Sequence, residues 1–448
     1  MIKVITYGTF DVFHQGHYNL LKNAKALGDY LVVGVTTENY DKERGKLNVS
    51  QSLMERIKNV KDSGLADEII IEEYEGQKIE DIQKYNIDIF AIGSDWIGKF
   101  DYLSEYCTVN YLQRTKGVSS TMIRNSKDIV IKLGVIGTGR IANRFIVESK
   151  YVSGVNIEAV FNPKIESAKE FSVKHELNYY SDDFNMFIEK VDAVYIASPH
   201  LTHDEYIERA LQKGKHVLCE KPMVLNSEKA TQLYDLAKNK KLILLEAVKT
   251  AYCPGFRRLV TIVKSGAIGT IKNIDASFTK LTPSDTREMI KSMAGGSMTE
   301  LGSYPLFAIL KILGTNCKEV NFVSYNNSQV DVFTKGQILY EKAVATFKVG
   351  LGVKTEGDLI ISGTKGYAYV PAPWWKTEYF ELRYEDLNAT KKYFYKFEGD
   401  GLRYELTEFL QRIKSNENSS FLLTVEESLE IARIMQLYLQ NVNVTTID

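Results

Sequence analysis

Near the start of the chain, His14-Gln15-Gly16-His17 sets two imidazoles three residues apart, after the apolar run Ile2–Ile5 and before a helical pattern over Tyr18–Leu27. The whole chain has only six histidines, so a pair in one strand-to-helix turn concentrates proton-donating groups there. Backbone N–H groups at a helix start point outward and attract phosphate. Gly8, Thr9, Phe10 and Asp11 complete the turn. A second candidate phosphate cradle is Arg114-Thr115-Lys116-Gly117-Val118-Ser119-Ser120-Thr121, where a basic residue leads into a hydroxyl-rich helix start. Ser119 or Ser120 there could equally be a plain helix cap. Gly93-Ser94-Asp95-Trp96 is a third turn at a strand end. Farther on, Gly137-Thr138-Gly139-Arg140-Ile141-Ala142 follows the apolar run Ile129–Val135 and opens a helix. In that context G-x-G-x-x-A gives a tight turn, close approach of a dinucleotide pyrophosphate, and close helix packing. Glu300 and Tyr304, four apart, project from one helical face.

These residues need elements to hold them. Strand-length apolar runs at Ile2–Tyr7, Leu31–Val35, Glu68–Ile71, Ile87–Ile92 and Val109–Leu112 alternate with helical patterns at Tyr18–Leu27, Leu53–Lys61 and Lys78–Lys84. Such alternation predicts a parallel sheet covered on both faces, with ligands at the carboxyl ends of its strands. A polar stretch, Arg124–Asp128, reads as a short linker that brings the two halves into contact. A second alternating set then runs through Val155–Phe161, Asp192–Ala197, Lys215–Cys219 and Leu242–Glu246. Beyond residue 250, period-two patterns at Ile271–Leu281, Glu319–Tyr325, Val330–Thr334, Lys342–Lys348 and Gly357–Ser362 predict a mostly antiparallel sheet. Leu402–Ile413 and Val425–Leu439 read as closing helices, the last returning to the dinucleotide domain. The expected organisation is α/β: a Rossmann-like domain over 1–127, a dinucleotide-binding Rossmann domain over 128–250, and an α+β domain over 251–448.

Bulk properties narrow the field. With 448 residues, 44% hydrophobic and 25% charged, the chain has ample material for two or three cores. A net charge of −1 argues against a global field for nucleic acid or anionic lipid, so phosphate binding must be local. The four cysteines lie far apart without metal-ligand spacing. They fit reduced thiols and, with no leader or membrane-spanning run, a cytoplasmic location without membrane insertion.

Gly8-Thr9-Phe10-Asp11…His14-x-Gly16-His17, in register with Arg114-Thr115-x-Gly117-Val118-Ser119-Ser120-Thr121, resembles the HxGH cytidylyltransferases of the glycerol-3-phosphate type, over residues 1–125. Leu27-Gly28-Asp29-Tyr30 and Asp95-Trp96-x-Gly98-Lys99-Phe100 support the likeness. It implies a nucleotidyltransferase domain in which a polyol phosphate attacks the α-phosphorus of CTP. His14 and His17 would donate to the CTP phosphates, and Arg114, Thr115, Ser119, Ser120 and Thr121 would hold the outer ones. Gly8, Thr9, Phe10 and Asp95 would complete the CTP site, with Asp11 the candidate Mg²⁺ contact. Lys46 and Arg56 would draw in the acceptor phosphate beside Trp96.

Gly137-x-Gly139-x-x-Ala142, Glu220-Lys221-Pro222 and Gly295-Gly296-Ser297-Met298-Thr299-Glu300-Leu301-Gly302-Ser303-Tyr304-Pro305 resemble the Gfo/Idh/MocA oxidoreductases, over about residues 130–445. The resemblance implies an NAD(P) site formed by Gly137, Thr138, Gly139, Arg140, Ile141, Asn162, Lys164, Ser198, Pro199, His203, Glu220 and Lys221. Lys221 would orient the substrate and touch the nicotinamide ribose. Tyr304 would be the proton donor, its pKa lowered by Lys221, with Glu300 where the family usually has aspartate. The strand Val155–Phe161 ends in Asn162-Pro163-Lys164 rather than in an acid, which tilts the cofactor from NAD toward NADP. The family's sheet face implies a homo-oligomer. Together the two halves suggest consecutive steps to a CDP-alditol for teichoic-acid-like or capsular polymers. Two other readings stay open: a non-catalytic oxidoreductase-like scaffold, or an oxidoreductase regulated by a nucleotide-binding N-terminal domain.

Overall fold

In the computed structural model the chain separates into two compact units, 1–130 with 152–154, and 131–151 with 155–448. The structure describes residues 1–43, 49, 51–74, 76–113, 130–327, 329–417 and 420–447. Lys46, Arg114, Thr115, Ser119, Ser120 and Thr121 lie outside the described residues, as does the expected linker.

The first unit carries strands β1 (Lys3–Gly8), β2 (Tyr30–Thr36), β3 (Glu68–Glu72), β4 (Ile89–Gly93) and β5 (Thr108–Leu112). They form one parallel sheet in the order β3-β2-β1-β4-β5. Successive strand residues face opposite sides of a sheet. Val4, Leu31, Val33 and Ala91 therefore enter one core cluster, while Ile5, Val32, Phe90 and Ile92 enter another. Burial of both faces explains why these strands read as unbroken apolar runs rather than alternating ones.

In the second unit, β6 (Ile131–Ile136), β7 (Val155–Phe161), β8 (Tyr179–Ser181), β9 (Ala193–Ile196), β10 (His216–Glu220) and β11 (Leu244–Ala247) form a parallel sheet. Its order is β11-β10-β9-β6-β7-β8. The third sheet combines β12 (Ile271–Thr279), β13 (Glu319–Asn326), β14 (Asp331–Leu339), β15 (Val344–Gly350) and β16 (Leu359–Gly363) with four further strands. These are β17 (Tyr367–Val370), β18 (Tyr379–Arg383), β19 (Lys391–Phe394) and β20 (Val444–Ile447). Its order is β19-β18-β17-β16-β12-β15-β14-β13-β20, antiparallel except at β12/β15 and β13/β20. The sequence patterns did not announce β18, β19 or β20. Two of these are edge strands, and β19 opens with Lys391 and Lys392, the kind of charge that keeps an open edge from pairing with another chain.

The closing helices pin the dinucleotide sheet to the third sheet. Gln436, on the helix Val425–Leu439, accepts from Ser227 N at 2.6 Å, and Ala432 joins the core around β9 and β10. Arg403, on the helix Leu402–Ser415, forms a two-pronged pair with Glu148 at 2.9 and 3.1 Å, both side chains 7% exposed. Removing one partner of such a buried pair typically costs about 3–5 kcal/mol, because the other charge is left uncompensated.

Candidate active sites

The first site is a turn held under backbone strain. Phe10 and Val12 adopt positive φ, 54° and 47°, a region that L-residues, above all β-branched ones, rarely occupy. Each such residue costs on the order of 1–3 kcal/mol and persists where its surroundings over-determine it. Here the surroundings do. The buried Phe10 ring folds over Gly8, where an added Cβ would sit 3.0 Å from the ring. Gln51 clamps the turn from both sides, its N–H donating to Asp11 Oδ1 at 2.9 Å and its Oε1 accepting from Val12 N at 2.8 Å. Thr9 donates from Oγ1 to buried Asp41 at 2.8 Å, and Arg56 Nη1 donates to the Thr9 and Thr36 carbonyls at 2.9 and 2.8 Å.

Those bonds correct the expectation for Arg56. It is fully buried, and besides these carbonyls it pairs with Asp41 at 3.3 Å, so it props the turn rather than meeting an acceptor phosphate. Its Nε donates to the Gln51 carbonyl at 3.1 Å, while Nη2, 3.8 Å from Glu38, is buried without a hydrogen-bond partner.

His14 caps the eleven-residue helix Gln15–Lys25, its Nδ1 accepting from Gly16 N at 3.0 Å. A neutral ring that accepts at Nδ1 carries its proton on Nε2, so His14 is set as an Nε2–H donor. The His17 ring stacks on it with centroids 3.9 Å apart and is backed by Phe10 and Phe13 at 5.4 and 5.6 Å. Asp95 and half-buried Trp96 form a 3₁₀ turn just after β4, β1's neighbour, and so sit at the same carboxyl edge of the sheet. Trp96 packs on Phe100 at 5.7 Å, with Lys99 Nζ 5.0 Å above its ring. Asp11 provides one carboxylate, and no cluster of three or more potential metal ligands occurs among the described residues. One carboxylate with substrate phosphates is nonetheless a donor set that Mg²⁺ accepts.

The second site opens with Gly137, at φ 101°, where a Cβ would stand 2.7 Å from the Ala197 carbonyl oxygen. Gly139 caps the helix Arg140–Ser149 facing open space, leaving the helix N-terminus approachable by phosphate. Asn162 Nδ2 donates to Thr138 Oγ1 at 2.9 Å, and Asn162 Oδ1 accepts from Lys164 N at 2.9 Å. Exposed Lys164 thereby stands at the carboxyl end of β7 and caps the helix Ile165–His175. Ile141 lies in the first turn of the fingerprint helix, and Arg140 pairs with Glu288 at 3.1 Å. Ser198 accepts at Oγ from Thr202 at 2.8 Å, and Pro199 leads into the next turn.

His203 and Glu220 depart from the expected cofactor contact. The His203 ring is fully buried, its nitrogens 2.9 Å from the Ser198 and Pro222 carbonyls, so it ties the two turns together. Glu220 accepts from Tyr195 OH at 2.6 Å, and burial pushes its carboxyl pKa up. Both support Lys221 from behind.

Lys221 Nζ donates to the Glu300 carbonyl at 2.9 Å and lies 5.7 Å from the centre of the Tyr304 ring. Glu300 and Tyr304 fall on successive short helices, Ser297–Leu301 and Ser303–Leu313, meeting at Gly302. Asp331, on β14, accepts from Met298 N at 2.9 Å and so caps the first of them from outside. Tyr304 packs on Phe278 at 5.0 Å, and Phe278 stacks on Trp375 at 3.6 Å. The expectation that Lys221 lowers the Tyr304 pKa is not met. Burial, then the Glu220 and Glu405 carboxylates, raise it well above its ordinary value, so the phenol is held protonated. Two residues at this site escaped the sequence reading. Arg287 Nη2 donates to Glu300 Oε1 at 2.8 Å, and His200 Nδ1 lies 3.7 Å from that oxygen.

Comparison with known proteins matches both parts of the chain. Residues 5–126 match the family model "Cytidylyltransferase-like", 131–248 "Oxidoreductase family, NAD-binding Rossmann fold", and 256–369 "GFO/IDH/MocA C-terminal domain". Glycerol-3-phosphate cytidylyltransferase of Bacillus spizizenii is 52% identical over 124 residues, covering 28% of this chain and 95% of that protein. The scyllo-inositol 2-dehydrogenase (NADP(+)) of Bacillus subtilis is 28% identical over 320 residues, 68% of this chain and 95% of that one. The crystal structure of a 3-ketoreductase from Actinomadura kijaniata, in complex with NADP and TDP-benzene, shares the fold of the second unit. Its TM-score is 0.65 at 23% identity, covering 71% of this chain and 100% of that one. The chain is therefore an enzyme that belongs to the cytidylyltransferase-like family over its first part and to the GFO/IDH/MocA oxidoreductases over the rest.

Proposed function

We propose that the enzyme makes a CDP-alditol in two steps: NAD(P)H-dependent reduction of a sugar phosphate to a polyol phosphate, then cytidylyl transfer to it from CTP. The observation that carries this reading is one chain bearing both a stretch of 124 residues 52% identical to a glycerol-3-phosphate cytidylyltransferase and a lysine–tyrosine pair at a dinucleotide fold. Glycerol 3-phosphate or a related polyol phosphate is the acceptor.

In the transfer step, an oxygen of the acceptor phosphate attacks the α-phosphorus of CTP, and the bond to pyrophosphate breaks. The phosphate is already nucleophilic, so catalysis is positioning and neutralisation of spreading charge. His14 and His17 donate hydrogen bonds to the CTP phosphates. Arg114, Thr115, Ser119, Ser120 and Thr121 hold the outer phosphates, Lys46 attracts the acceptor, and Asp95 with Trp96 borders the nucleoside or acceptor alcohol. Asp11 would help hold Mg²⁺, which would supply neutralising charge on the triphosphate.

In the reduction, Tyr304 would give its phenolic proton to the carbonyl oxygen, and a nicotinamide held by the Gly137–Gly139 turn would supply the hydride to the carbonyl carbon. A phenol held protonated by burial suits that role, with Lys221 orienting the carbonyl. Lys164, where an acid would otherwise grip the ribose 2′-hydroxyl, favours the 2′-phosphate of NADP. A homo-oligomer built on the third sheet and a cytoplasmic location, where CTP and NADPH are available, complete the proposal; no described helix is long and apolar enough to cross a membrane.

A screen of pyrophosphate release from CTP across glycerol, tetritol and pentitol phosphates tests the transfer step. One of these esters is expected to support turnover. Release with none of them would end the transferase reading.

A further inference from the structure

Two polar groups of the oxidoreductase site converge on a single carboxylate oxygen. Glu300 Oε1 accepts from Arg287 Nη2 at 2.8 Å and has His200 Nδ1 3.7 Å away. Neither Arg287 nor His200 has a part in the hydride and proton transfer assigned above. Yet Arg287 Nη1 and His200 Nδ1 are both buried atoms without a hydrogen-bond partner. Buried polar atoms in native proteins are ordinarily paired, so two open ones beside a reaction centre call for an explanation.

Their chemistry differs. The His200 side chain is 6% exposed, and its ring makes a backbone hydrogen bond to Ala294, which falls to Nε2 because Nδ1 has none. Burial first, then Lys221, His203 and Arg287, bring its pKa down to about 2. The ring is neutral, and Nδ1 offers a lone pair. Arg287 Nη1 offers an N–H. A buried acceptor and a buried donor thus border the same carboxylate. The charge balance also leans one way: Lys221 and Arg287 bring two positive charges against Glu300, while nearby Glu288 is paired with Arg140.

We propose that Arg287 and His200 determine specificity for a substrate carrying an anionic oxygen group beside a hydroxyl. Arg287 Nη1 donates to the anion, and His200 Nδ1 accepts from the hydroxyl. A phosphate monoester and a carboxylate share the acceptor geometry that a guanidinium prefers, so a sugar phosphate and a sugar acid are the two sources. An uncharged sugar would leave Nη1 as unpaired as it is now. The inference rests on the reductase reading of residues 131–448.

The test uses the full chain with bound NADPH, whose fluorescence reports on the dinucleotide site and not on the transferase site. It is titrated with a pentulose 5-phosphate, the corresponding sugar acid and the free pentulose. One charged ligand is expected to act at about 10- to 100-fold lower concentration than the free sugar, the span of a hydrogen bond to a charged group. Arg287→Ala should erase that advantage with NADPH affinity unchanged, and Arg287→Lys should restore part of it. In turnover, Arg287→Ala should raise KM for the charged substrate far more than it lowers kcat. His200→Asn, which keeps an acceptor, should retain more affinity than His200→Leu. Should Arg287→Ala not fold, Arg287→Gln keeps a donor to Glu300 without the charge and is expected to lose the same advantage. Equal response of the wild type to charged and free sugars, or a charge preference that survives loss of Arg287, overturns the inference. Failure of the wild type to bind NADPH sinks the reductase reading itself, and this inference with it.

Discussion

Replacing His17 by alanine is expected to slow pyrophosphate release from CTP by about 10²–10³-fold, the usual cost of losing one preorganised donor to developing charge. The loss should fall in kcat, with NADPH binding by the other unit unchanged. The imidazole is not loosely placed: it stacks on His14 at 3.9 Å and is backed by Phe10, itself at positive φ. Alanine therefore removes a positioned donor and also a support of the His14 ring. Pyrophosphate release by His17→Ala, compared with wild type at saturating CTP, checks the expectation. A variant within threefold of wild type would mean that the turn binds nucleotide without catalysing transfer, favouring a regulatory N-terminal domain.

Lys221→Ala carries the second large effect. Its Nζ binds the Glu300 carbonyl and stands near the Tyr304 ring, so its removal frees the substrate carbonyl to rotate away from the proton donor. A loss of about 10²–10⁴-fold in NADPH oxidation is expected, the range of positioned acid–base catalysis. Pyrophosphate release with the polyol phosphate supplied should not change. If wild type and Lys221→Ala bind NADPH equally and neither oxidises it with any sugar phosphate, the second unit is a scaffold. Glu300, where the family has aspartate, would then be the first residue to revert.

Local motifs were readable because their chemistry is local. Gly137 needs positive φ and has no room for a Cβ, and it announces itself within a six-residue fingerprint between strand and helix. The parallel sheet of the first unit was equally legible, because strands buried on both faces spell continuous apolar runs. What stayed hidden depends on segments that meet only in the fold. Arg56 reads as a surface charge on a helix; its partners at Thr9, Thr36 and Asp41 lie 47, 20 and 15 residues away. His200 and Arg287 meet at Glu300 from 100 and 13 residues off, each opening a short 3₁₀ turn, with no shared period. The family resemblance implied His203 as a cofactor contact, but burial makes it a tie between two carbonyls. The edge strands β19 and β20 carry lysine and threonine rather than an apolar alternation, so pairing with a neighbour, not their own pattern, makes them strands.

On the proposed reading, one chain performs two consecutive reactions. Wild-type protein supplied with CTP, NADPH and a panel of ketose and aldose phosphates should convert one of them into a CDP-alditol. NADPH oxidised, pyrophosphate released and CDP-alditol formed should be equal in amount. Lys221→Ala should stop all three, with added polyol phosphate restoring only the last two, and His17→Ala should stop the last two alone. NADPH oxidation whose alcohol product is never cytidylylated, or CDP-alditol formation independent of Lys221 when only the sugar phosphate is supplied, would contradict it.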